Sequence, residues 1–155
     1  MGMTDSYVVF TLDELKFGLG LSSVERILRI VEITPLPMAP EIVMGVINIQ
    51  GQVVPVYNIR RRFRLAERET SLNDKLIVAN TLKRKVAIVA DSVSGIVECL
   101  RQEVALTSDL LPGTDYVEGI IKQADGLIMI HDLEKFLSPG EKRTLTAAMK
   151  AHSKA

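Results

Sequence analysis

Short runs of β-branched residues, each closed by turn-forming residues, recur along most of this chain. That rhythm belongs to a sandwich or barrel and not to a helical or alternating α/β protein. YVVFTL (residues 7–12) and KFGLGL (16–21) flank an Asp13/Glu14 turn and predict a hairpin. SSVERILRI follows, in which Ser22 or Ser23 is placed to cap a brief helical turn before the chain extends. In ITPLPMAP, the prolines 35, 37 and 40 remove backbone donors and predict an extended loop. Residues 39–44 are then read as one helical turn ending at Gly45. Residues 46–49 and 52–57 predict a second hairpin around Gly51, which is suited to positive φ. KLIVA (75–79) and KVAIVA (85–90) predict a third.

Two stretches align without a gap at an offset of 74 residues: GVINIQGQVVPVYNI from Gly45 and GIIKQADGLIMIHDL from Gly119. Val46 falls on Ile120, Val54 on Ile128, Val56 on Ile130, Ile59 on Leu133 and Phe63 on Leu137. This points to two related β subdomains in one chain. The resemblance of any two valine- and isoleucine-rich hairpins is the competing explanation. The tail opens with Ser138, Pro139 and Glu141, a capping-box spacing that predicts a C-terminal helix docked through Leu145 and Met149. The expected fold is therefore all-β, with short helices and a C-terminal helix over 138–155. Subdomain one is expected over 16–74 and subdomain two over 75–137, with room for the N-terminal strand to pack on the latter.

Catalytic chemistry is thin. His131 and Asp132 adjoin, but no nucleophile stands in a recognisable context, so a structural histidine is expected and no enzyme. His152 and the lone Cys99 do not complete a metal-ligand spacing, so no metal and no cofactor are expected. Cys99 suits a reducing cytosol as a buried apolar residue. Gly18-Leu19-Gly20-Leu21-Ser22-Ser23 looks like a phosphate loop only superficially, since no long helix follows it. Asp91, Asp109, Asp115 and Asp125 are assigned to turns and caps. The first ten residues lack the basic and apolar regions of an export signal, and no stretch has the length of a membrane span.

Nineteen basic residues balance nineteen acidic ones, so no global field draws in nucleic acid or an anionic membrane. The local exception is Arg60, Arg61, Arg62, Arg64 and Arg68, interrupted by Phe63 and diluted by Glu67 and Glu69. A solvated helical turn, a docking edge and a nucleic-acid patch are its three readings, and nucleic-acid binding is the least favoured.

Residues 24–63, VERILRIVEITPLPMAPEIVMGVINIQGQVVPVYNIRRRF, carry ITPLP with a further proline three residues on, then GVINIQG, VVPV and NIRRRF. With VAIVADSV (86–93) and residues 116–137 in the same order, they resemble the CheW family of chemotaxis coupling proteins over nearly the whole chain. The resemblance implies two five-stranded SH3-like barrels and a non-enzymatic adaptor. It also implies two partners: the regulatory domain of the histidine kinase CheA and the cytoplasmic tip of methyl-accepting chemoreceptors. Neither nucleic-acid binding nor membrane insertion is expected, and the implied location is cytoplasmic, at receptor arrays. Receptor binding carries over to Val24, Arg26, Ile27 and Arg60, and a docking turn to Gln50 and Gly51. The family usually has glutamate at the place of Arg26 and arginine at that of Gln50. Arg26 is thereby expected to face Arg60, with Glu25 or Glu32 as substitutes for the missing acid. Arg60→Glu is expected to abolish receptor coupling with the fold intact.

Overall fold

Each apolar run extends as a strand because successive side chains point to opposite faces, and where both faces are covered the run is continuously apolar. The computed structural model describes residues 3–106, 117–124 and 126–153. The strands are β1 (Thr4–Leu12), β2 (Leu15–Gly20), β3 (Val24–Arg29), β4 (Val43–Ile49) and β5 (Gln52–Tyr57), then β6 (Lys75–Asn80) and β7 (Lys85–Ala90). After these come β8 (Ser92–Leu100), β9 (Val104–Leu106), β10 (Val117–Gln123) and β11 (Gly126–His131), with helices α1 (Ile59–Arg62) and α2 (Pro139–Ser153).

The strands form a six-stranded sheet, β8-β1-β2-β11-β10-β9, and a five-stranded sheet, β3-β6-β7-β5-β4. In the first, the two edge strands β8 and β9 are joined by only the 3-10 turn Arg101–Glu103, so the sheet curls and brings the joined ends of its edges close. In the second, the edges β3 and β4 are consecutive, and the proline-rich segment between them bridges back through Thr34 and Val46. The expected fold class holds: mostly β, two barrel-like sheets and a C-terminal helix. The six-stranded sheet carries the three-residue β9 as an additional strand.

The repeat is visible in the backbone. β4 and β10, and likewise β5 and β11, correspond at the same 74-residue offset. The bulges between Val43 and Gly45 and between Val117 and Gly119 correspond too. β5 runs parallel to β7 through Val56 and Tyr57, and β11 runs parallel to β2 through the matching Ile130 and His131.

The expected boundary between residues 74 and 75 is overturned. β6 and β7 complete the sheet begun by β3–β5, while β2 belongs with β8–β11. The third hairpin looked like a fresh start because parallel pairing with β5 leaves no local signal; residues 66–74 are a surface connector. Two smaller readings also change. The 3-10 turn at Leu21–Ser23 has no side-chain cap. Residues 39–42 form no helix and only a turn at 41–42, Val43 and Met44 already belong to β4, and Gly45 lies inside the strand. Its role is close approach, because a Cβ there would stand 2.2 Å from the Thr34 carbonyl oxygen. The α2 capping box forms as expected: the Glu141 amide donates to Ser138 Oγ at 3.1 Å and the Ser138 amide donates to Glu141 Oε1 at 2.9 Å.

Ile47, Val54, Val56, Leu76 and Val78 fill the five-stranded barrel, and Val9, Ile121, Ile128 and Ile130 fill the other. A third, larger layer lies between them, containing Phe10, Phe17, Ile77, Ile88, Phe136 and Leu145. The alternate residues of each inner strand thus feed two different cores. Leu145 of α2 is 1% exposed in this layer, and Met149 packs beside it.

His131 stands inside the same layer, 3% exposed. Its ring centroid lies 4.9 Å from those of Phe17 and Phe63 and 5.0 Å from that of Phe136. No described residue gives either ring nitrogen a hydrogen bond. Burial lowers its pKa from 6.5 to about 3. The unfolded chain therefore takes up a proton first, so this residue's stabilising contribution is full above pH 6.5 and is lost as pH falls from 6.5 towards 3. At pH 5 the loss amounts to about 2 kcal/mol. His131→Phe is expected to remove that part of the acid sensitivity, read as a smaller fall in urea midpoint between pH 7 and pH 5; an unchanged fall would contradict the neutral, caged histidine. Gly45→Ala is expected to destabilise by about 2 kcal/mol or more in the same assay, since backbone must move to admit the methyl group.

Candidate functional site

A residue three positions along a regular strand points to the opposite face, yet Val24 and Ile27 share one. The register of β3 against β6 shifts between Val24 and Arg26, inserting an extra residue, as a bulge does. Val24 then sits opposite Ala79 and Ile27 opposite Ile77, and both of those partners belong to the layer between the barrels. Val24 packs against that layer, and Ile27 remains 44% exposed at its margin. β3 is an edge strand, and of this apolar pair Val24 is half-buried while Ile27 is open to solvent. Beside it, where the chain leaves β2, a cleft of about 390 Å³ runs between Ser22 and Ser23 on one wall and Asn80, Thr81 and Asp132 on the other.

Arg26 lies on the other face. It stands opposite Val78, whose side chain fills the five-stranded barrel, and its Nε is 3.4 Å from Glu25 Oε2. Glu25 also meets Lys85 Nζ at 3.0 Å, and that hydrogen bond leads the causes that hold its carboxyl below the usual range.

Arg60 is placed elsewhere again. Asn58 caps the short α1 by accepting from the Arg60 amide at 3.0 Å, which turns the Arg60 side chain inward. The residue is 5% exposed. Its Nη1 donates to Asp13 Oδ1 at 2.9 Å and to the Ala66 carbonyl at 3.0 Å, while its Nη2 donates to both oxygens of Asp91 at 2.9 and 2.7 Å. Asp91 also accepts from the Asp13 amide at 2.7 Å and from Arg68, which forks onto Asp74 as well. Burial alone would lower the Arg60 pKa; the hydrogen bonds that it donates to Asp91 and Asp13 outweigh this and raise the value. Asp91 is likewise pushed up by burial and pulled further down by Arg60, ending below the usual range. The network ties the β1–β2 turn of one sheet to α1, the 66–74 connector and the β7–β8 junction.

Of the four residues carried over as one receptor site, the structure therefore brings Val24 and Ile27 together and sets Arg26 and Arg60 apart, each with its own carboxylate partner. The expectation that the two arginines face each other is not met: Glu25 holds Arg26, and the acids on Arg60 are Asp13 and Asp91. An acidic side chain at position 60 would stand among these aspartates, so the expected intact fold of Arg60→Glu is revised to a destabilised one. Asp91 had been read as a turn residue, and no spacing rule marked it as the hub, because its arginine partners lie 31 and 23 positions away. Asp109, Asp115 and Asp125 lie outside the described residues.

Gln50 and Gly51 occupy the exposed tip of the β4–β5 hairpin with φ of 51° and 86°. Both are left-handed, as a type I′ turn needs, and Asn48 Oδ1 accepts from the Gly51 amide at 2.8 Å. Two further arginines of the cluster are also engaged, Arg61 with Glu67 and the Glu41 carbonyl and Arg62 with Glu141, while Arg64 is exposed. A basic patch free for phosphates is thus not what these side chains form. No group of His, Cys, Asp and Glu with metal-binding geometry occurs among the described residues.

The family model of the CheW-like domain matches residues 6–141. This chain belongs to the CheW family. The scaffolding protein TtCheW of Thermoanaerobacter tengcongensis superposes with a TM-score of 0.77 at 30% identity, covering 84% of this chain and 90% of that one. Chemotaxis protein CheW of Treponema pallidum is 24% identical over 89% of this chain and 85% of its own length. Protein FrzA of Myxococcus xanthus is 31% identical over 58% of this chain and 56% of its own. Like the other CheW-family scaffolds, the protein is non-catalytic. No described helix is long and apolar enough to cross a membrane.

The ion network gives a contrast that can be measured. Arg60→Ala leaves the partly buried Asp91 without its bidentate partner and is expected to destabilise by about 2–4 kcal/mol. Arg61→Ala breaks a largely exposed pair and is expected to change stability by under about 1 kcal/mol. Equal shifts of the urea midpoint in the two variants would contradict the placement of Arg60.

Proposed function

We propose that this CheW-family scaffold couples chemoreceptors to the histidine kinase CheA, with the β3 margin as its receptor-facing surface. The observation that carries this reading is the bulge that sets Val24 and Ile27 on one face of an edge strand, beside an open cleft. Such a ledge suits an amphipathic helix, which presents anchors at i, i+3 and i+4 to an apolar groove. Arg60 contributes as a positioning residue: it holds the two sheets in register and so fixes the angle at which that ledge is offered. Arg26, on the opposite face, modulates the surroundings of the ledge without lying in it.

The Gln50–Gly51 tip and the free sheet edges are the surfaces assigned to the regulatory domain of the kinase, which by family resemblance shares this fold. Two modest contacts on one rigid body reinforce each other, because the first holds the second partner at high effective concentration. The protein then works in the cytoplasm, at receptor arrays. The match to Protein FrzA keeps a second reading open: the same adaptor role in a chemosensory pathway with a different output.

Reconstitution of receptor, kinase and this protein tests the reading through kinase activity. Activity is expected to depend on the protein, and Ile27→Glu, at an exposed position, is expected to weaken receptor binding about tenfold or more with an unchanged urea midpoint. Wild-type coupling by Ile27→Glu would overturn the assignment of the β3 margin.

A further inference from the structure

A second recess lies where α2 crosses the β6–β7 turn. Tyr57, Leu133, Leu137 and Leu145 line it, with Thr146 and the turn residue Leu82 at its mouth. Its volume is about 130 Å³. That is well below the roughly 300–1,000 Å³ of a pocket for a whole small ligand, and it matches one large apolar side chain. The surface that lines it is mostly apolar, which suits an aliphatic group better than water. Tyr57, with its phenol hydroxyl, is 4% exposed. Burial pushes that hydroxyl up to about 12, so it stays a neutral donor.

The rim has a definite sign. Lys83, Arg84 and Lys142 border the recess against the single acid Glu134. None of the three cations forms an ion pair with a described residue; Arg84 is positioned by donating to Thr146 Oγ1 at 2.7 Å. Glu134 is already occupied, accepting from the Leu82 amide at 2.8 Å. Leu82 itself is 94% exposed beside this opening.

We infer that the recess between α2 and the β6–β7 turn is a peptide-docking site, which takes one leucine-like side chain from an acidic segment of a partner protein. The side chain fills the cavity as an anchor, the Tyr57 hydroxyl donates to a carbonyl of the incoming backbone, and flanking carboxylates meet Lys83 and Lys142. The recess adjoins the cleft beside the β3 margin, sharing Thr81, Leu82, Leu133 and Glu134 with it, but neither Val24 nor Ile27 lines it, and the inference does not depend on the receptor reading.

The test uses the full chain and a short fluorescein-labelled peptide with one leucine between glutamate pairs, followed by fluorescence anisotropy. Saturable binding is expected, weakened about tenfold or more when the peptide's leucine is replaced by alanine. Lys142→Glu and Lys83→Glu, both at positions where the fold does not depend on the charge, are expected to weaken it and to reduce its salt dependence. Ile27→Glu is expected to leave it unchanged. Absence of binding, equal binding of the alanine or a lysine-flanked peptide, or loss of binding in Ile27→Glu would each overturn the inference.

Discussion

The apolar layer between the two sheets is the constraint on which the rest of the molecule depends. Neither barrel can be drawn away from it, because the inner strands that build the barrels also build the layer. In β6, Ile77 faces the shared layer and Val78 the five-stranded barrel; in β1, Phe10 faces the layer and Val9 the other barrel. Chain order strengthens the coupling. The six-stranded sheet is begun by β1 and β2 and finished by β8–β11, after the chain has built the entire five-stranded sheet. Unfolding either sheet alone would therefore expose a face of the other, and the two are expected to melt as one cooperative unit.

Placing ionic contacts around such a layer explains how a chain with no net charge can carry so many arginines next to one another. Arg60, Arg61, Arg62 and Arg68 radiate from α1 and the connector to acids on four different parts of the fold: the β1–β2 turn, the connector itself, α2 and the β7–β8 junction. The stretch that dominates the charge profile of the sequence is thus mostly turned inward, towards its own chain. Among the exposed apolar side chains, Ile27 on β3 and Leu82 on the β6–β7 turn each stand beside a cleft. In the proposed reading, recognition rests on shape and small apolar anchors at fixed positions, with charge setting the sign of the surroundings.

Much of this was legible beforehand, for reasons that can be stated. The hairpins follow from alternation and turn residues, α2 from its capping box, and the repeat from a gapless offset that the bulges at Gly45 and Gly119 reproduce. What was not legible shares one property: it depends on residues distant in sequence. β6 and β7 join the five-stranded sheet through a parallel pairing with β5 that no local pattern encodes. That Val24 and Ile27 share a face depends on a bulge that only the pairing with β6 reveals. Arg60 was legible as a special position but not in its role, because Asp13 and Asp91 come from opposite sides of the chain. Gly45 was read as a helix end because the crowding that requires it comes from Thr34, across the proline-rich loop.

For a scaffold, rigidity has the place that reactive groups have in an enzyme. A protein that joins two partners contributes only the geometry between its surfaces, and any flexing there dilutes the effective concentration that makes joint binding strong. The most polar buried groups of this molecule fit that requirement. The Arg60 network lies where one sheet crosses to the other, and His131 stands uncharged among four phenylalanines in the layer both sheets share. A hydrophobic replacement of similar volume could match or exceed the stability of such groups, but a bidentate arginine admits only one arrangement of its acids, whereas apolar contacts tolerate sliding. The network's contribution is accordingly to the angle between the sheets, and through that angle to where the β3 ledge, the β4–β5 tip and the α2 recess stand relative to one another.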